Sequence, residues 1–246
     1  MDGYDLSGYS RAIGPLSIEY DEADLTAHMS DTVKGYLANK PHANLGTLNA
    51  VFDNTATTGL HALMASAGIE RTVLTAIGIR AAPAMGDPCF GGQFIDSAYQ
   101  VADDGGAVTV SVPWAGWAAD ATINMDCPWG TLLHHNLAVT AVNAAVGYDN
   151  PTVAATANGG YMVYHVLASN AAGVTATLKV QDAAVNNDGG FADLGGCTTG
   201  VITCVAGVHG IVAATTMAVR QYVRWQIVLG TATSVTFVLG FFRKYP

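Results

Sequence analysis

The chain has 246 residues, of which 50% are hydrophobic and 12% charged, with a formal net charge of −9. An ordinary soluble domain is about a quarter charged, so this composition predicts an exterior largely covered by neighbours. It argues against a basic nucleic-acid groove, because 10 Lys and Arg cannot offset 19 acids, and against a spanning helix, because no stretch approaches ~18–20 uninterrupted apolar residues.

At this length a chain buries about 70–75% of its extended surface, enough for one large β domain or two modest ones. Met1-Asp2-Gly3-Tyr4-Asp5 is acidic where a secretory signal would be basic, and no apolar segment follows it. The expectation is a product made in a cytoplasm, with Cys89, Cys127, Cys197 and Cys204 reduced, buried as small hydrophobes and outside any usual zinc spacing.

In chain order, an acidic arm leads into a strand over Pro15–Tyr20, and Gly46–Phe52 is a second strand. Asp53–Gly59 offers capping residues, after which Leu60, Leu63, Met64 and Ala67 at helical spacing predict one short helix ended by Gly68. Arg71–Ile79 returns to strand. A turn-rich stretch over Pro83–Gly92 precedes another strand over Gln93–Val101. Asp103-Asp104-Gly105-Gly106 is a turn signal and the expected boundary between a first unit, 1–106, and a second, 107–246.

The second unit opens with the strand Ala107–Pro113 and the aromatic group Trp114, Trp117 and Trp129, read as core or interface anchors. Tyr161–Leu167, Val174–Gln181, Gln221–Val228 and Ser234–Phe241 are strand-length runs of β-branched and aromatic residues between Gly, Asn, Asp and Thr turns. The expected class is mainly β.

Chemistry is sparse. His134 and His135 are adjacent, so on a strand their rings point to opposite faces and do not converge on a metal. His28, His42, His61, His165 and His209 stand singly, and there is neither a nucleophile elbow nor a phosphate-cradling loop. Asp182, Asn186, Asn187, Asp188 and Asp193 form an oxygen-rich loop, open to reading as a hard-cation site or as a turn rich in Asn and Asp for backbone reasons. No catalytic, cofactor-binding or metal residues are assigned, and an enzyme is not expected.

Charge is segregated along the chain. Residues 1–31 hold Asp2, Asp5, Glu19, Asp21, Glu22, Asp24 and Asp31 against Arg11 alone, whereas Arg220, Arg224, Arg243 and Lys244 follow the last acid, Asp193. Opposite ends of opposite charge would favour head-to-tail contacts between copies.

Asp5-Leu6-Ser7-Gly8-Tyr9, the strand Leu16–Tyr20 and its acidic continuation resemble the opening of tail tube proteins of long-tailed bacteriophages. Thr58–Leu63, Pro83–Pro88, Leu178–Asp182, Phe191–Leu194, Arg220–Arg224 and Phe241–Arg243 are similar to the same family. The resemblance implies a tail-tube-like β-barrel or sandwich with one short helix and an acidic arm, followed by a jelly-roll or immunoglobulin-like β-sandwich. It implies a virion structural protein, assembled in the host cytoplasm, that forms hexameric rings stacked head to tail as the conduit for DNA ejection. Its partners would be further copies, tail-tip, tape-measure and tail-terminator proteins, and DNA passing without sequence-specific binding, with no membrane insertion.

His28–Asn44, polar and poorly periodic, is the expected stacking loop. The alternatives are a capsid decoration or other virion-surface protein, and a carbohydrate-binding module built from Trp114, Trp117, Trp129 and the Asp182–Asp193 loop.

Overall fold

The structure, a computed structural model, describes residues 1–24, 36–78, 82–103, 105–116, 127–140, 147–149, 158–214 and 217–244, with the backbone alone for 21–24, 36–41 and 148–149. In chain order the elements are β1 (Ser10–Gly14), β2 (Ser17–Asp24), β3 (Tyr36–Asn44), β4 (Thr47–Val51), α1 (Leu60–Met64), β5 (Glu70–Ala76), β6 (Pro88–Asp96), β7 (Gln100–Asp103), β8 (Val108–Gly116) and β9 (Trp129–Val139). Then follow β10 (Tyr148–Asp149), β11 (Gly160–Ser169), β12 (Thr175–Ala183), β13 (Ala192–Thr198), β14 (Ile202–Thr203), β15 (His209–Ala214), β16 (Tyr222–Leu229) and β17 (Val235–Arg243). The protein is mainly β, as its composition predicts.

A ten-stranded antiparallel sheet runs β1-β4-β8-β6-β9-β17-β11-β15, with β5 beside β6 and β7 beside β8. A five-stranded sheet, β10-β16-β12-β13 with β14 beside β12, packs over one end of it. Side-chain alternation on the central strands explains why two cores form. On β17, Phe237, Leu239 and Phe241 enter the core between the two sheets, while Val238 and Phe242 enter a second core on the opposite face. Met162, Tyr164 and Val166 divide in the same way from Tyr161 and Val163 on β11. Strands buried on both faces read as continuous apolar runs, which is why these segments stand out in the sequence.

The large sheet forks at β6. One edge of β6 pairs with β5 from Ile95 to Cys89. The other edge pairs with β9 at Pro88–Phe90 and with β8 at Phe94–Asp96. A strand has only two edges, so β9-β17-β11-β15 and β8-β4-β1 leave that edge as separate branches. The second core lies within the fork, with Leu60 and Met64 of α1 buried in it.

These pairings correct the expected boundary. The signal expected to divide the chain lies within the β7–β8 hairpin, where Asp103 pairs with Val108 and its carboxylate accepts the Gly105 N–H at 3.0 Å. β8, from the second unit, pairs with β4 and β6 from the first, so one sheet spans both. The sandwich expected after residue 107 is present in β9–β17, and its front sheet continues into the first unit. The helix spans five residues, and its N-cap Gly59 has no side-chain cap. The Asp53 carboxylate instead accepts from Thr55.

Candidate assembly surface

β2 and β3 form a two-stranded sheet of their own, paired from Ser17↔Asn44 to Asp24↔Tyr36. At ~3.3 Å per residue the ladder is about 25 Å long. Two residues of β3, Asn39 and Lys40, face one of β2 between the Tyr20 and Glu22 pairs, which increases the local twist. Pro41 removes a donor from the ladder, and four acids, Glu19, Asp21, Glu22 and Asp24, lie on β2. Charge and proline on an edge oppose indiscriminate strand addition.

The root of this ribbon is fixed. Ala43 and Leu45 are buried in the second core, and a Cβ on Gly116 of β8 would fall 1.7 Å from the Ala43 carbonyl oxygen, so only glycine allows the crossing. Farther out, contacts become polar. Ser17 Oγ donates to Glu19 Oε1 at 2.7 Å, Asn44 Nδ2 donates to the same oxygen at 2.9 Å, and His42 Nε2 lies 3.3 Å from Glu19 Oε2. Those hydrogen bonds, from Ser17 first, hold the Glu19 carboxyl below its usual range. Tyr20 is 54% exposed.

The expected stacking loop, His28–Asn44, therefore contains a strand. Its residues 36–44 are β3, and its residues 28–35 lie outside those described. The sequence concealed β3 because Asn39, Lys40 and Pro41 interrupt any apolar alternation.

The expected acidic arm is packed instead of extended. Asp2 N–H donates to the Thr72 carbonyl at 3.0 Å and the Asp2 carboxylate accepts the Thr72 N–H at 2.8 Å, adding the amino-terminal segment to the edge of β5. Gly3 donates to His165 Nδ1 at 3.0 Å and accepts from Gly207 at 3.1 Å, which ties that edge to β11 and the approach to β15. Gly3 has φ +76°, and a Cβ there would lie 2.4 Å from Gly207.

Arg71 anchors the same clasp. Its guanidinium meets Asp96 at 3.1 Å, Asp2 at 3.2 Å and the Ser66 carbonyl at 3.1 Å, and Asp96 is fully buried. Asp5 accepts from Ser7 and Asn136. Residues 2–5 are thus held by the chain's own β5, β9 and β11.

The basic carboxy-terminal end is also engaged internally. Arg220 pairs with the buried Asp182 at 2.9 Å. Arg224 bonds Gln181 at 2.9 Å, pairs with Asp188 and lies 4.2 Å from the Phe191 ring centroid. Arg243, fully buried, donates to the carbonyls of Arg220 and Gln221. All three arginines thus have partners within the chain, and Arg220 stays 40% exposed beside Asp182. The same contacts occupy the Asp182–Asp193 loop. Asp193 receives Lys179 at 2.7 Å and Gln181 at 2.8 Å, and Asn186 bonds Gly147 in both directions.

The remaining candidates disperse. His134 stacks on Phe237 at 4.1 Å and donates or accepts at Nδ1 with the Phe237 carbonyl at 2.9 Å; facing a carbonyl, it donates. Burial pushes its pKa down to about 4. His135 points into the fork on the other side. His61 bonds Tyr99, and His209 bonds the Gly207 carbonyl; His28 lies outside the described residues. Cys89, Cys197 and Cys204 are buried, with burial raising their thiol pKa values, and Cys127 donates to the Arg243 carbonyl.

Trp114 is buried in the second core and Trp129 packs its edge on Phe90 at 5.0 Å, while Trp117 lies outside the described residues. Trp114 and the Asp182–Asp193 loop sit in different layers and do not form the sugar platform considered above. Among the described residues no group of three metal-ligating side chains converges, and no helix is long and apolar enough to cross a membrane. No family model matches the chain, and no curated protein matches it.

Proposed function

We propose that this chain is a virion structural protein, a tail tube subunit that forms stacked rings and uses the β2–β3 ribbon to reach the next ring. The observation that carries the reading is the ribbon itself. An isolated two-stranded hairpin is marginal in water, yet this one extends about 25 Å from a fixed root, and its described side chains Glu19, Tyr20 and His42 are exposed. Such an element gains stability by docking on another surface.

The charge-poor exterior supports the same reading, because apolar area withdrawn from water drives ring closure. A net acidic wall suits passing DNA, since a basic one would capture phosphates by counterion release. The role is structural, without catalysis or an obligate cofactor. Sedimentation of a variant with residues 20–41 replaced by Asn-Gly, joining the paired Glu19 and His42, tests it. The expected result is loss of polymer with the monomer still folded. Unchanged polymer would remove the ribbon from assembly.

A further inference from the structure

The fork in the large sheet holds a cavity of about 650 Å³, within the range of small-molecule sites. Both branches and β5 line it, with Leu48 and Trp114 on one side and Val73 and Val238 on others. The pairing register places His165 opposite Val238, and the bulge between the Phe237↔Leu137 and Leu239↔His134 pairs sets His135 and Asn136 against Val238 from the far strand. These four residues form one row across β11, β17 and β9, and all four line the cavity.

His165 defines the chemistry. It is 2% exposed, and its Nδ1 accepts the Gly3 N–H at 3.0 Å. Burial keeps the ring neutral, its pKa well below the ordinary value, so the single ring proton sits on Nε2. That N–H is buried and has no acceptor among the described residues. His135 Nδ1 and Trp114 Nε1, on two other lining residues, are likewise buried without a partner among the described residues. Buried donors of this kind are rare in native proteins unless something supplies their acceptor. An anion is disfavoured, because Asp5 lines the cavity, His165 is uncharged, and burial pushes the amino group of Met1, which also lines it, down to about 6.

We propose that the cavity is a binding site for a neutral, mainly apolar small molecule carrying one hydrogen-bond acceptor, a carbonyl or ether oxygen, received by His165 Nε2–H. The site is independent of the assembly reading, since no described lining residue belongs to the β2–β3 ribbon.

The test uses the full chain and prodan, a neutral naphthyl ketone whose emission reports the polarity and hydrogen bonding of its carbonyl. Diphenylhexatriene, which has no acceptor, is the control probe. Saturable prodan binding is expected, weakened at least tenfold (about 1.4 kcal/mol) in His165→Leu. Diphenylhexatriene affinity should be unchanged or higher in that variant. Because His165→Leu also removes the acceptor for Gly3, a second variant, Val238→Phe, leaves the clasp intact and places a larger side chain beside His165; it should weaken prodan binding at least tenfold with the thermal midpoint preserved. Absence of saturable prodan binding by the unmodified protein overturns the proposal. So does prodan affinity that stays constant in both variants.

Discussion

The β2–β3 ribbon and the double-cored body are built from strands of similar length but are held by different forces. In the body, β11 and β17 bury both faces, and the fully buried Phe237, Phe241 and Phe242 supply the cores. Each such side chain is worth about 1.5–3 kcal/mol relative to exposure. In the ribbon the described strands pair with each other, and polar contacts join Ser17, Glu19, His42 and Asn44 next to the buried Ala43. The contrast separates stability from assembly. The body folds on its own interior, and the described side chains Glu19, Tyr20 and His42 of the ribbon are exposed.

The largest effect should come from the clasp. Arg71→Met leaves Asp96 buried without its cation and is expected to lose about 3–5 kcal/mol in urea unfolding, as for other broken buried pairs. Phe237→Ala, which opens a cavity between the sheets beneath His134 and Trp225, should cost about 3–4 kcal/mol in the same assay. Equal losses from substitutions on the exposed ribbon would erase the distinction.

Acid should weaken the body next. His134 titrates near 4 in the folded state because burial disfavours its charge, against an ordinary 6.5 when unfolded. The unfolded chain therefore binds this proton first. Stability from His134 is complete above about pH 6.5 and falls by about 1.4 kcal/mol per pH unit on the way to pH 4. The buried His165 acts in the same direction. Unfolding at pH 7 and pH 5 should differ less in His134→Leu than in the unmodified protein; an undiminished difference would assign the acid sensitivity elsewhere.

The smallest expected change is in the ribbon. Glu19→Gln, at an exposed carboxylate, should leave the urea midpoint of unfolding essentially unchanged. A larger loss would mean that the ribbon supports the body.

The strands buried on both faces were legible because their apolar runs are unbroken, as in Tyr161–Leu167 and Ser234–Phe241. β9, at the centre of the sheet, has no apolar alternation that marks its bounds, since Gly130, His134, His135 and Asn136 interrupt its pattern and two bulges shift its register. β6 begins at Pro88, inside the expected turn region, because Gly91 and Gly92 resemble loop residues locally and only tertiary pairing makes them strand. The opposite placement of His134 and His135 followed from strand geometry alone. The cavity between the branches could not be foreseen, since it depends on β6 exchanging β9 for β8 along one edge.

Negative-stain electron microscopy of the purified chain over a concentration series, beside the variant with residues 20–41 replaced by Asn-Gly, tests the assembly account most directly. The account predicts hollow filaments of uniform width for the unmodified chain and dispersed, folded particles for the variant. Filaments of equal length from both, or dispersed particles from both even when seeded with an assembled tail tip, would contradict it.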